Sequence, residues 1–347
     1  MSDAEIVCER RGSVGAILLN RPKALNALTL GMVREMARAL DAWEGDPGIT
    51  RIVVTGAGDR AFCAGGDIRK LYEAGRAGDI TPSLTFWREE YILNVRIRSY
   101  PKPYISLIDG IVMGGGVGVS LHGSHRVAGD RYSFAMPEVG IGFFPDVGGM
   151  YALARLPGEM GTYLALTGAR IGPDDAAALG LATHRVPSER MAALEEALVA
   201  GEPVDGVLAA SSRPVADAPL LAHSDVIARC FGASSPLAIL AALDADGSDF
   251  AAETAATIRK KAPSSVAIAF EQIRRAPAMS FEDTMAAEYR IVSRIAEGHD
   301  FYEGVRATII DKDGAPRWQP ARLEDLDPGF AASHFEPLPG RELRDPV

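Results

Sequence analysis

Two carboxylates stand eight residues apart among apolar residues and glycines, Glu138 in FAMPEVGIG and Asp146 in FFPDVGG. Carboxyl groups in such surroundings suit acid/base or nucleophilic work, because burial moves their proton affinity toward neutrality. Upstream, an apolar run leads into three consecutive glycines, Gly114, Gly115 and Gly116. With no Cβ, glycine lets backbone N–H groups approach a ligand closely. A helix opening there aims free N–H groups and its positive end at whatever lies before it. That arrangement suits an oxygen that gains negative charge during reaction. A second loop of small residues, Ala64-Gly65-Gly66-Asp67, opens another helix. Each feature also has a plain structural use: glycines for tight helix–strand packing, carboxylates for a solvated or ion-paired surface.

Commoner chemistries do not fit. The glycines do not spell G-x-G-x-x-G, and no Gly-Lys dipeptide offers a phosphate loop. Ser120 lies in G-x-S-x-x-G, one residue too long for a nucleophile elbow. Cys63 has no His or cationic helper nearby in sequence and reads as an inert buried thiol. His184 reads as an ordinary strand residue, and no His/Cys/Asp/Glu group has metal-ligand spacing. The adjacent pair Glu89-Glu90 reads, from its own surroundings, as a solvated helix face.

The elements that must hold these residues follow from periodicity. Glu5 to Glu9 and Val14 to Asn20 are strand-like and separated by Arg-Gly-Ser, a hairpin signal. Thr29 can cap a helix to about Trp43, with Met32, Met36, Leu40 and Trp43 forming a core stripe. Arg51 to Thr55 is a buried strand. Thr81 to Tyr100 is helical, with Trp87, Tyr91 and Val95 on one face, and is stopped by Pro101 and Pro103; Pro103 to Ile108 is the strand feeding the glycine triplet. Alternating strands and helices with glycine-rich strand-to-helix loops predict an α/β fold. Tyr151 to Gly168 and Pro173 to Gly180 read as two helices, and Thr183 to Val186 as a short strand. Gly201 to Pro219, rich in Ala, Pro and Ser, reads as a loop or linker. Helices are expected beyond it at Ser235 to Asp244, Phe250 to Lys261, Ser264 to Arg275 and Ser280 to Glu297. The expected division is a core over 1–200 and a mainly helical region over 201–347.

Composition bounds the partners. The 347 residues are 47% hydrophobic, enough for a sizeable core. With 36 basic against 46 acidic residues the net charge is -10, which disfavours nucleic acid and anionic membrane surfaces. Three cysteines without C-x-x-C spacing suggest free thiols in a reducing cytosol. The charged N-terminus lacks a signal-peptide core, and no apolar run reaches the ~20 residues of a membrane span. A cytoplasmic, membrane-free protein is the expectation.

Read together, FCAGGDI (62–68), MGGGVG (113–118), FAMPE (134–138), IGFFPDVGG (141–149) and LALTG (164–168) resemble the crotonase (enoyl-CoA hydratase/isomerase) superfamily. Within it they look most like its 3-hydroxyisobutyryl-CoA hydrolase branch. Glu288-Tyr289-Arg290 and the stretch 298–313 extend the match toward the C-terminus. The resemblance implies a spiral of ββα units forming two sheets, a helical C-terminal region, and assembly as a homo-oligomer, trimer or hexamer. It implies acyl-CoA ligands, with Gly66 and Gly115 as the backbone donors of an oxyanion hole. Hydratases of this superfamily use two glutamates. Here the first position is Gly118, the second is Glu138, and Asp146 stands where hydratases usually have glycine. That pattern implies thioester hydrolysis, with Glu138 as nucleophile or general base and Asp146 orienting water or moving its proton. Glu90 is then a contact for the acyl portion, and Arg69 a candidate for CoA phosphates. The favoured substrate is a short 3-hydroxyacyl-CoA, most of all 3-hydroxyisobutyryl-CoA of valine catabolism. No metal or separate cofactor is implied. The alternatives are an enoyl-CoA hydratase/isomerase, or a noncatalytic acyl-CoA- or RNA-binding member of the fold.

Overall fold

The computed structural model describes residues 4–344. A hairpin opens the chain, with β1 (Ile6–Arg11) antiparallel to β2 (Val14–Leu19). Gly12 turns it at φ 60°. In α1 (Leu30–Glu44) the Thr29 hydroxyl caps by accepting the Met32 N–H at 3.3 Å; Met32, Met36 and Leu40 are fully buried as the stripe requires, while Trp43, its last member, is only half-buried. There follow β3 (Arg51–Gly56), β4 (Ala61–Cys63), α2 (Ile68–Arg76) and α3 (Thr81–Arg98). Then come β5 (Tyr104–Ile108), β6 (Ile111–Met113), the single turn α4 (Gly115–Gly118), β7 (His125–Ala128), β8 (Ser133–Ala135) and β9 (His184–Arg185). A six-stranded sheet runs β1-β2-β3-β5-β7-β9, parallel from β2 onward, and a three-stranded sheet runs β4-β6-β8. Among the described residues every element after β9 is helical. The expected α/β class is the observed one.

Packing divides the chain into two compact units that interleave in sequence. The first takes residues up to Gly66, Ile92–Phe134 and Ile171–Pro219. The second takes Asp67–Tyr91, Ala135–Arg170 and the chain from Leu220 on. In the first, sheet residues Val53, Ile105, Leu107 and Val127 pack with Leu194, Leu198, Val207 and Leu208. Each such side chain contributes roughly 1.5–3 kcal/mol by leaving water.

Three local expectations need correction. The stretch 201–219 is not simply a linker: Val204–Ser211 is a helix that buries Val207 and Leu208. Pro203, at φ -58°, stands just before its first turn, where a missing N–H costs nothing. The expected helix 151–168 is instead Gly149–Leu153 and Met160–Thr167. Leu156, ahead of Pro157, is extended, and Gly158 and Glu159 take φ 60° and 63°. Helices Met191–Val199 and Ser224–Phe231 were not anticipated from periodicity.

Candidate active site

In the first unit the two glycine loops lie side by side. A Cβ built on Gly65 would sit 4.0 Å from the Gly115 nitrogen, and one on Gly116 would sit 2.2 Å from the Cys63 carbonyl oxygen. Gly114 takes φ 45°, ψ -124°, a conformation closed to residues bearing a side chain. Leu28 donates to the Gly65 carbonyl at 2.8 Å, fixing that loop from the other side. The N–H groups of Gly66 and Gly115 find no backbone acceptor among the described residues. Gly115 is buried and Gly66 half-buried, and buried donors are otherwise paired almost without exception, so these two N–H groups are available to an oxygen acceptor. The expected apolar helix is only the one turn of α4, so free N–H groups matter here more than a macrodipole. Gly118 is buried in that turn. The Ser120 hydroxyl is spent on the Gly116 carbonyl at 2.6 Å, and Cys63 is fully buried, so neither is a nucleophile.

In the second unit four carboxyl groups are buried together: Glu90 (2% exposed), Glu138 (7%), Asp146 (5%) and Glu288 (0%). Glu90 lies on α3, whose Trp87 and Tyr91 are also buried. Glu138 opens the 3-10 turn Glu138–Ile141. Gly142, at φ 71°, then passes so close to the helix Asp300–Val305 that a Cβ would lie 2.0 Å from the Asp300 carbonyl oxygen. The chain continues through Phe143 and Phe144, where Phe143 stacks on Trp87 at 5.5 Å. Asp146 follows, and Val147 and Gly148 both take positive φ, 52° and 73°. A β-branched residue held there stores about 1–3 kcal/mol of strain.

The electrostatics follow from that burial. Loss of water raises the Asp146 carboxyl, the Tyr91 hydroxyl draws it back through a 2.8 Å hydrogen bond, and it rests at about 7. Burial, then the charge of Asp146, pushes Glu90, Glu138 and Glu288 well above the usual carboxylate range. Glu90 Oε1 and Glu138 Oε2 are buried with no hydrogen-bond partner. Buried oxygens without a protein partner are free to accept from a water or from a ligand group. Neighbouring carboxyls whose proton affinities are driven upward, one of them to about neutrality, can give and take protons near neutral pH.

The sequence-derived candidates therefore fall into two groups. Glu90, Glu138 and Asp146 come together in one unit, and Gly66 and Gly115 lie in the adjoining loops of the other. Glu90 is not the solvated side chain its local sequence suggests, because the carboxylate turns to the buried face beside Tyr91. Arg69 is exposed and donates to the Ile309 carbonyl at 3.1 Å. Tyr91, Gln272 and Glu288 were missed. Glu288 carried a usable signal: it lies on the Met285, Ile291 and Val292 face of its helix, where a solvated glutamate does not belong. No three His, Cys, Asp or Glu residues are arranged to hold a metal among the described residues.

Comparison with known proteins places this arrangement. A family model for enoyl-CoA hydratase/isomerase matches residues 14–335. The mitochondrial 3-hydroxyisobutyryl-CoA hydrolase of Rattus norvegicus is 48% identical over 98% of this chain and 91% of its own length. The human protein of the same name is 45% identical over 98% and 90%. Among solved structures, a carnitinyl-CoA dehydratase from Mycobacterium thermoresistibile superposes with a TM-score of 0.94 at 42% identity, covering 98% of both chains. An enoyl-CoA hydratase from Rhodobacter sphaeroides 2.4.1 gives 0.93 at 41%, covering 98% of this chain and 99% of its own. The expectation of a cytoplasmic protein is corrected by the relatives, which are named mitochondrial. Unpaired cysteines distinguish reducing from oxidising surroundings, but they do not distinguish cytosol from an organelle interior. With a match over most of its length and relatives at this identity, the chain belongs to the crotonase, or enoyl-CoA hydratase/isomerase, family.

Proposed function

We propose that this protein hydrolyses 3-hydroxyisobutyryl-CoA to 3-hydroxyisobutyrate and CoA, as the names of its curated relatives suggest. The names attached to its structural neighbours point instead to hydration or dehydration. One observation favours hydrolysis: Gly118, at the position of the first hydratase glutamate, has no side chain, while Glu138 and Asp146 share one buried carboxyl cluster.

The acyl carbonyl oxygen takes the Gly66 and Gly115 N–H groups, which stabilise the tetrahedral oxyanion; one such donor is worth about 3 kcal/mol. Glu138 meets the reacting carbonyl with its unpartnered oxygen. In the net reaction a water oxygen bonds to the acyl carbon and the C–S bond breaks, its electron pair leaving on sulfur. The water proton passes through the carboxyl cluster to the CoA thiolate. Asp146, held by Tyr91, moves that proton. Glu90 takes the 3-hydroxyl of the acyl chain with its own free oxygen. These side chains carry acyl and proton transfer themselves, so no cofactor beyond the CoA of the substrate is invoked. Arg69 remains a candidate for the CoA phosphates. A role in valine catabolism and a trimeric or hexameric assembly extend the same reading.

The test is thiol release from a panel of acyl-CoAs, run beside hydration of crotonyl-CoA. Release from 3-hydroxyisobutyryl-CoA with little crotonyl-CoA hydration is expected. Rapid hydration without thiol release would falsify the hydrolase reading.

A further inference from the structure

The turn that carries Asp146 is held by two side chains outside the catalytic set. Val147 and Gly148 both lie at positive φ, and the Gly149 N–H closes the turn onto the Asp146 carbonyl at 2.8 Å. Val147 is buried, so this conformation belongs to the packed interior. On one side of Asp146, Gln272 Nε2 donates to the Pro145 carbonyl at 3.2 Å. On the other, Glu288 Oε2 accepts the Gly148 N–H at 2.8 Å. The same Gln272 Nε2 also donates to Glu288 Oε1 at 3.2 Å, which links the two holds. Gln272 comes from helix Pro263–Arg275 and Glu288 from helix Phe281–Ile295. Both are buried, on faces where an apolar side chain would cost far less to bury.

We propose that Glu288, seconded by Gln272, is a positioning residue that sets the orientation of the Asp146 carboxyl. The inference rests on the reading of Asp146 as a catalytic group. Removing the Gly148 acceptor frees one end of a strained turn, and the turn relaxes toward ordinary backbone angles. Asp146 then swings out of line, and misplacement by about 1 Å costs on the order of 10²-fold in rate. Substrate affinity, which draws on other groups, is little affected.

The experiment is a double-mutant cycle on the full chain, read by thiol release and by CoA affinity, with melting curves to confirm folding. Glu288→Ala is expected to lower kcat by roughly 10–100-fold with KM within about threefold. Glu288→Gln keeps an oxygen for the Gly148 N–H and should restore most of that loss. In an Asp146→Asn background, Glu288→Ala should cost less than about threefold more, because it acts through a group already disabled. Gln272→Ala should show the same non-additivity, and it serves as the readout if Glu288→Ala does not fold. Equal losses from Glu288→Ala in both backgrounds, or wild-type kcat in folded Glu288→Ala beside a collapsed Asp146→Asn, would overturn the positioning role alone. Wild-type kcat in Asp146→Asn would overturn both this inference and the reading beneath it.

Discussion

The Tyr91 hydroxyl donates to Asp146 Oδ2 at 2.8 Å inside a wholly buried cluster of carboxyl groups. Burial alone would drive Asp146 far from its ordinary proton affinity; the hydroxyl favours the ionised form and brings it back to about 7. One uncharged donor thus keeps a buried acid in the range where it can work. Tyr91→Phe should therefore move the acid limb of the kcat–pH profile to higher pH. A hydrogen bond to a charged group is worth about 1.5–3 kcal/mol, so a shift of roughly one to two pH units is expected. An unmoved limb in an active, folded variant would show that the bond does not set the titration.

Asp146→Asn keeps the shape of the side chain and removes the acid. Its kcat should fall by about 10²–10⁴, with the affinity for CoA product nearly unchanged. The same variant should alter the pH dependence of stability. The folded carboxyl keeps its proton up to about 7, while the unfolded one releases it near 4. Between those values the folded state binds more protons, so stability falls as pH rises, by on the order of a few kcal/mol at most for this one group. Melting temperatures of wild type and variant measured from pH 4 to 7 check the sign: the variant should decline less.

Gly115→Val places a branched side chain beside the amide proposed to meet the thioester oxygen. A loss of about 10²–10³ in kcat is expected, the scale of a lost oxyanion donor. A folded and fully active variant would remove Gly115 from that role.

Glu90→Ala tests the acyl end. Its unpartnered oxygen is proposed to take the 3-hydroxyl, so kcat/KM on 3-hydroxypropionyl-CoA should drop more than on propionyl-CoA. Equal losses on the two substrates would show that Glu90 does not read the hydroxyl.

Legibility in the sequence followed how local each cause was. Glu138 and Asp146 stood out because their types, their spacing and the apolar residues around them lie within one short stretch. The glycine loops stood out because close backbone approach requires that residue type. Tyr91 read as one more aromatic on a helix stripe, since its partner lies 55 positions away. Glu90 was singled out only through the family resemblance, because Glu89-Glu90 taken locally suggests solvent. The matching C-terminal stretch turned out to be scaffold: Arg306 gathers Glu303, Asp311 and Asp313, while Asp300 accepts from Ser264 at 2.5 Å and from the Gln319 N–H at 2.8 Å. These residues hold the helix against which Gly142 packs. The helix Val204–Ser211 was hidden because Ala, Ser and Pro composition describes a linker and a short helix entered through proline equally well.

The interleaving of the two units also sets an order of events during synthesis. All of the strands of the six-stranded sheet, and the helices that cover it, have been made once residue 219 is added. The segments 67–91 and 135–170 emerge earlier than the rest of their unit, which begins at Leu220. Those segments carry Glu90, Tyr91, Glu138 and Asp146, and the side chains that pin them, Gln272 and Glu288, come near the end of the chain. The glycine loops can therefore be native while the acids are still in water with ordinary proton affinities. A chain truncated after residue 219 should show a protected sheet and freely exchanging amides at 135–170. Catalytic competence arrives as the last step of a folding process dominated by contacts distant in sequence.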